Sequence, residues 1–278
     1  PYEFQDGIYA IPMTQDFHMM FYRTDILEEL GLEAPETWED LYKIIPILQR
    51  NNMQVGLPYQ ASDDIGLIDA GMGARNLFPT LLVQNGGTFY QNDNKETGLT
   101  SPQAYKSFKQ WVDFYAAYGF TLKYDFNTRF RSGEMPIAIT GYGNYNLLSV
   151  AAPEIRNQWK MCPIPGTRKE DGSIDRSESA SGSACIMFKK IKNPDAGWEF
   201  LKWWSSPEVQ LKYANRLETI MGTAARLNTA NIKTFENIST KEINIKSHFG
   251  LTNSNYTEKS EELDETWTLA TYSFEKYF

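Results

Sequence analysis

The sequence predicts an α/β protein, and three observations predict it. Short apolar runs at residues 8–13, 55–59, 137–141, 161–164 and 184–188 end at turn residues, as strands do. Between them lie segments that open on a cap followed by proline, Ser101-Pro102, Asn193-Pro194 and Ser206-Pro207, as helices do. Apolar residues make up 41% of the 278, enough to build the core of one large domain or two ordinary ones. Strands separated by helices define the α/β class.

Taken in order, residues 8–13 (IYAIPM) form a strand, Thr14-Gln15-Asp16 interrupt it, and residues 17–22 (FHMMFY) resume it. Thr24 and Asp25 are placed to cap a short helix that Gly31 ends. Thr37, with Asp40 three residues on, resembles a capping box. Leu41, Ile44, Ile45 and Leu48 follow at helical spacing, and Pro46 among them predicts a kink or a shortened helix. Asn85-Gly86-Gly87 is a turn with left-handed glycines. The helix from Ser101 presents Phe108, Trp111, Val112 and Tyr115 as its apolar face and ends at Gly119. Residues 166–183 are polar and Gly/Ser-rich, a loop or a domain crossing, and a last helix is expected from Thr266 to Phe278.

Composition removes several function classes. The net charge of −8, with no basic run, repels phosphate backbones and argues against a nucleic-acid partner. No run reaches the roughly 18 apolar residues that a membrane span needs. Cys162 and Cys185 are the only cysteines and His18 and His248 the only histidines, too few for a Cys/His zinc site. Both cysteines sit in apolar runs and read as buried free thiols, although adjacent strands could bring them together. The motifs of nucleophilic hydrolases, P-loop proteins, zinc peptidases and dinucleotide-binding proteins are missing, and no cofactor is implied. Asp63-Asp64 is a surface pair or a calcium-type ligand pair. Asp16 with a second acid leaves a glycoside hydrolase open as the enzyme alternative.

Polar and aromatic residues collect just beyond strands, where ligands of open α/β sheets bind. Thr14, Gln15 and Asp16 follow the first strand, and Tyr142, Asn144 and Tyr145 follow the strand at 137–141. Ser181 and Ser183 precede the strand at 184 and form a candidate rim. His18 is a pocket-lining candidate. Carboxylates, amides and aromatic rings hold neutral hydroxylated ligands. Ordinary core packing is the competing reading of both tyrosines. Helix capping competes for Asp16, but Thr24 and Asp25 already serve the next helix.

The segment DGIYAIPMTQDFHMMFYRTDILEELGLEAPETWEDL resembles the sugar-binding proteins of bacterial ABC transporters, extracellular solute-binding protein family 1. LLVQNGG, FRSGEMPIAITG, MCPIPG and KNPDAGWEFLKWWSSPEVQ resemble further elements of that family, in its order, from Gly7 to about Asn228. The resemblance implies a type II periplasmic-binding-protein-like fold, two α/β lobes joined by hinge strands, with a carbohydrate, an oligosaccharide by expectation, in the cleft between them. It divides the chain into residues 1–15 (hinge strand and remnant of the first lobe), 16–162 (second lobe), 163–225 (returning segment of the first lobe) and 226–278 (a C-terminal segment on the second lobe). It implies delivery to ABC-transporter permease subunits and a monomer outside the cytoplasm, membrane-anchored only through a lipid outside this chain. In maltose-binding-like members a carboxylate stands where Asp16 stands, and an aromatic platform follows the strand matched by residues 137–141. The family carries about one hundred residues, the size of a domain, before the segment that opens here. The chain opens at Pro1, so a fragment with an incomplete first lobe is expected, its export signal lying elsewhere. A binding protein for a peptide or a polyamine is the alternative within the same fold.

Overall fold

The computed structural model describes residues 3–4, 7–58, 77–93, 95–178 and 182–238. The expected helix from Thr266, the pair Asp63-Asp64 and Ser181 lie outside the described residues. The chain begins with three two-residue strands, β1 Glu3–Phe4, β2 Gly7–Ile8 and β3 Ile11–Pro12, followed by β4 His18–Arg23. Helices α1 Thr24–Glu29 and α2 Trp38–Arg50 lead to β5 Val55–Gly56. After α3 Phe78–Gln84 come the hairpin β6 Tyr90–Gln91 and β7 Glu96–Thr97, then α4 Pro102–Ala116, α5 Phe126–Arg131, β8 Ile137–Gly141 and α6 Asn144–Ala151. Strand β9 Trp159–Cys162 precedes a small hairpin, β10 Thr167–Arg168 and β11 Ile174–Asp175. Strand β12 Ala184–Cys185 and helices α7 Pro194–Ser205, α8 Pro207–Met221 and α9 Ile232–Asn237 complete the described chain.

The central sheet has the order β5-β8-β4-β9, with β4 antiparallel to both neighbours and β5 parallel to β8. Successive side chains of a strand point to opposite faces. Met20, Val55, Ile137 and Ile139 join Trp38, Leu41, Ile45, Leu48 and Phe114 on one face. Met19, Phe21, Ala138 and Met161 join Phe126, Phe130, Tyr145 and Trp159 on the other. Both faces are therefore covered by helices. That is why residues 17–22 read as a continuous apolar run rather than an alternating one.

Several helix starts follow from their caps. Thr37 accepts from Asp40 N–H and donates to its carboxylate at 2.7 Å. Ser101 and Asn193 cap α4 and α7 by accepting from Ala104 and Ala196 N–H. Other expectations are corrected. Arg23, without a side-chain cap, occupies the N-cap of α1, and its guanidinium engages Asp25 at 2.6 and 2.9 Å. Helix α2 runs unbroken through Pro46, on its exposed side, because packing of Leu41, Ile44, Ile45 and Leu48 outweighs one missing hydrogen bond. On α4 the buried residues are Ala104, Ser107 and Phe114, so the face is rotated from the one expected and leaves Phe108 exposed. In the Asn85 turn only Gly86 takes a positive φ, at 76°. The opening run is divided into β2 and β3, and residues 166–183 contain a hairpin within the expected loop.

Buried Gln84 fastens that hairpin segment to the sheet. Its Oε1 accepts from Trp38 Nε1 at 2.7 Å, and its Nε2 donates to the carbonyls of Pro165 (3.4 Å) and Ser177 (3.2 Å). The two cysteines are free, and burial pushes the Cys162 thiol up to about 12. By contrast, no residue of α7 is buried. Phe188 and Trp203 are 74% and 54% exposed, and among the described residues β12 pairs only with β3. A two-stranded pair with uncovered helices has little core of its own.

Two outcomes follow from this packing. Gln84→Ala leaves two buried groups, Trp38 N–H and the Pro165 carbonyl, without partners and is expected to destabilise the chain by about 2–6 kcal/mol, at about 1–3 per buried group, in urea unfolding. In a Cys185→Ser background, iodoacetamide at pH 8 is expected to leave Cys162 unmodified until denaturant is added.

Candidate functional site

Three passages of the chain meet at one point. The first, from β3 to Gln15, is held by the second, Gly182–Ser183. Met13 and Thr14 N–H donate to Ser183 C=O at 2.8 and 3.2 Å, and Ser183 N–H donates to Thr14 Oγ1 at 2.9 Å. The two hydroxyls, Thr14 Oγ1 and Ser183 Oγ, lie 2.6 Å apart. The third passage, Asn228–Ala230, closes the junction. Gln15 N–H donates to Asn228 C=O and Gln15 Nε2 to Thr229 C=O, both at 3.0 Å, and Ala230 N–H donates to Met13 C=O at 3.0 Å. A Cβ at Gly182 would stand 1.9 Å from Thr14 C=O, so the crossing needs glycine by close approach. Just before the third passage Arg226 binds Glu218 of α8 through Nε and Nη2, at 3.1 and 2.6 Å, and its carbonyl accepts from Asn146 of α6.

Asp16 lies immediately beyond this junction. Its carboxylate stands over the end of β8, where a Cβ on Gly141 would be 3.3 Å from Oδ1. His18, first residue of β4, pairs with Gly141 and is only 6% exposed. Glu178, 8% exposed, reaches it from the end of the hairpin segment. Its Oε1 accepts from His18 backbone N–H and stands 2.6 Å from His18 Nδ1. Buried Asn144 donates to Thr140 Oγ1 at 2.9 Å.

The expected residues thus divide. Asp16 and His18 are brought together. Thr14, Gln15 and Ser183 are brought to the same place, but their polar groups tie the three passages to one another. Tyr142 and Tyr145 are 4% and 2% exposed. Their rings stack on each other at 6.4 Å, and Tyr142 stacks on Phe17 at 5.1 Å while Tyr145 meets Trp159 edge-on. The ring faces are therefore turned into the core, and burial pushes both hydroxyls up, keeping them neutral. Sequence reasoning missed Glu178, Gly141 and the passage at Asn228–Thr229. Nothing local marks Glu178 within the polar SESASGS stretch, because its partner is 160 residues away. Among the described residues no cluster of three or more His, Cys, Asp or Glu is placed to hold a metal ion, and no helix is long and apolar enough to cross a membrane.

A covered mixed sheet whose chain leaves and re-enters through three bundled passages is the architecture of a periplasmic-binding-protein-like fold. The family model for bacterial extracellular solute-binding proteins matches residues 1–239, and the chain belongs to that family. It is a family of solute-binding proteins outside the cytoplasm, not of enzymes. The chain is similar to maltose-bound MalE3 of T. maritima, with 22% identity and a TM-score of 0.61, covering 93% of this chain and 66% of that one. It is similar to the GacH receptor of Streptomyces glaucescens GLA.O, solved unliganded and with acarbose, with 19% identity and a TM-score of 0.61, covering 90% and 60%. UgpB from Mycobacterium tuberculosis in complex with glycerophosphocholine matches at 15% identity and a TM-score of 0.61, covering 88% and 57%. The chain spans about six tenths of the length of these solved proteins.

If the crossing requires close approach, Gly182→Ala is expected to cost about 1–3 kcal/mol, as overpacking does. Limited proteolysis should then cut preferentially near residues 182–185, while Gln84-dependent packing of the sheet persists.

Proposed function

We propose that the chain is the ligand-binding part of an ABC importer, taking a carbohydrate, in particular an oligosaccharide, in a cleft between two lobes and presenting it to permease subunits. One observation carries this reading: Asp16 emerges beside a three-passage junction, where a hinged protein has its cleft floor. The ligands of similar proteins, maltose and acarbose, support a sugar. Glycerophosphocholine in UgpB supports a second reading, a non-sugar polar solute in the same fold.

In this reading residues 1–15 belong to the hinge and first lobe and residues from 16 onward to the second. We set the second crossing at Gly182 rather than at 163, because Gln84 and His18 hold residues 165–178 against the second lobe. Residues up to 225 then return to the first lobe, and residues 226–238 go back to the second. The uncovered faces of α7 and Phe188 are where the rest of the first lobe packs. The full-length protein is a monomer held at the outer membrane face by a lipid outside this chain. Asp16 accepts from ligand hydroxyls, and closure shifts the population toward the form a permease recognises.

Calorimetry on the full-length protein with maltose, maltotriose and cello-oligosaccharides tests the reading. Asp16→Ala removes a charge-assisted acceptor worth about 1.5–3 kcal/mol and is expected to weaken binding about 10- to 100-fold. Equal affinity of wild type and variant for every sugar bound, or binding of glycerophosphocholine in preference to all of them, would overturn it.

A further inference from the structure

The span Thr14–His18 is gripped at both ends by residues that flank the Gly182 crossing. Ser183 holds Thr14, and Glu178 holds His18; Asp16 lies midway between them. The Glu178 contact has an unusual form. One carboxylate oxygen, Oε1, serves both the backbone N–H and the Nδ1 of the same residue, each at 2.6 Å. An oxygen that already accepts from N–H is poorly placed to donate to a second nitrogen beside it, so the proton of the Nδ1 contact belongs to Nδ1. The nitrogen that carries the proton in a histidine is set by the partner of the ring. The Nδ1···Oε1 approach lies outside hydrogen-bond geometry, so it is the 2.6 Å separation, too short for a bare nitrogen lone pair facing a carboxylate oxygen, that puts the proton on Nδ1. Both side chains are at least nine-tenths buried, where such a contact is strong and an unpaired carboxylate is costly.

We propose that Glu178 is a positioning residue for the candidate ligand site. It fixes His18 as the Nδ1–H tautomer and, by clamping both the ring and the backbone N–H, holds the entry to β4 so that the Asp16 carboxylate stays over Gly141. The inference rests on the solute-binding reading for its functional consequence, but the clamp is measurable without ligand. Glu178→Ala removes the acceptor, whereas Glu178→Gln keeps an oxygen in the same place.

The test uses full-length protein labelled with nitrogen-15, with the His18 signals identified by their loss in His18→Asn. Wild type and E178Q should show the Nδ1–H tautomer at alkaline pH, and E178A should revert toward the Nε2–H form of an unsupported imidazole. Amide exchange at Phe17 and His18 should speed up at least tenfold in E178A, with Met20 in the middle of β4 unchanged. An Nε2–H tautomer in wild type, an unchanged tautomer in E178A, or acceleration spread equally over β4 would overturn the proposal. In maltose titrations E178A should bind at least tenfold more weakly and E178Q within threefold of wild type, and E178A should add less than twofold in an Asp16→Ala background. A full additive loss in that background would show that Glu178 does not act through Asp16. Wild-type protein that binds no maltose overturns the maltose reading alone, since the tautomer and exchange results decide the clamp independently of it.

Discussion

The close passage of Gly182 beneath the Thr14 carbonyl constrains everything around it. Three stretches of backbone converge there, and backbone N–H and C=O groups removed from water must find partners. They find one another: Met13, Thr14 and Gln15 donate outward, while Ser183 and Asn228 supply the carbonyls. Small or hydroxylated side chains are the ones that let backbones approach this closely and still leave no polar atom stranded. The polar Thr14-Gln15-Asp16 island between two apolar runs is thus a consequence of the crossing. Two of its three residues serve the junction, and only the third carries its charged group beyond it.

The sheet next to the junction is the rigid partner of this arrangement. With helices on both faces, β4 and β8 are immobilised along their length, and the ends His18 and Gly141 are fixed with them. Groups borne on strand ends inherit that order. Gln84 extends the same order to residues 165–177, which would otherwise be an exposed loop, and brings Glu178 back to the start of β4. The acidic residue and its support are therefore positioned from opposite directions, one by the sheet and one by the strap.

Much of this order was legible in the sequence. The capping box at Thr37, the caps at Ser101 and Asn193, and the strand at residues 137–141 are local features, decided by residues a few positions apart. The α4 face was misread because aromatic residues surround that helix, and burial is decided by which side meets Leu81 and Trp38. Likewise, a polar residue after a strand is equally suited to hold a ligand or another strand. Only the positions of Ser183 and Asn228, remote in sequence, show that Thr14 and Gln15 hold strands. Tyr142 and Tyr145 illustrate the same ambiguity for rings, which pack on each other as readily as on a sugar. Glu178 carried no local signal at all.

This division of labour bears on how selectivity arises in such a protein. Hinge closure is driven only by the difference in affinity between open and closed forms, so contacts present in both contribute nothing to it. On the proposed reading the hydrogen bonds of Thr14, Gln15 and Ser183 belong to the hinge and are made in both forms. On the proposed reading the second lobe then offers a small fixed set, Asp16 and the groups that steady it, and discrimination among solutes falls to the opposite wall. The β3-β12 pair and the helices that follow it, which the proposed reading gives to the first lobe, leave aromatic faces uncovered and supply no such wall by themselves. A common floor with an exchangeable wall fits the range of ligands, from maltose to glycerophosphocholine, held by proteins of this same fold. It also makes the few floor residues disproportionately important, since a charge misplaced there is misplaced for every wall that closes over it.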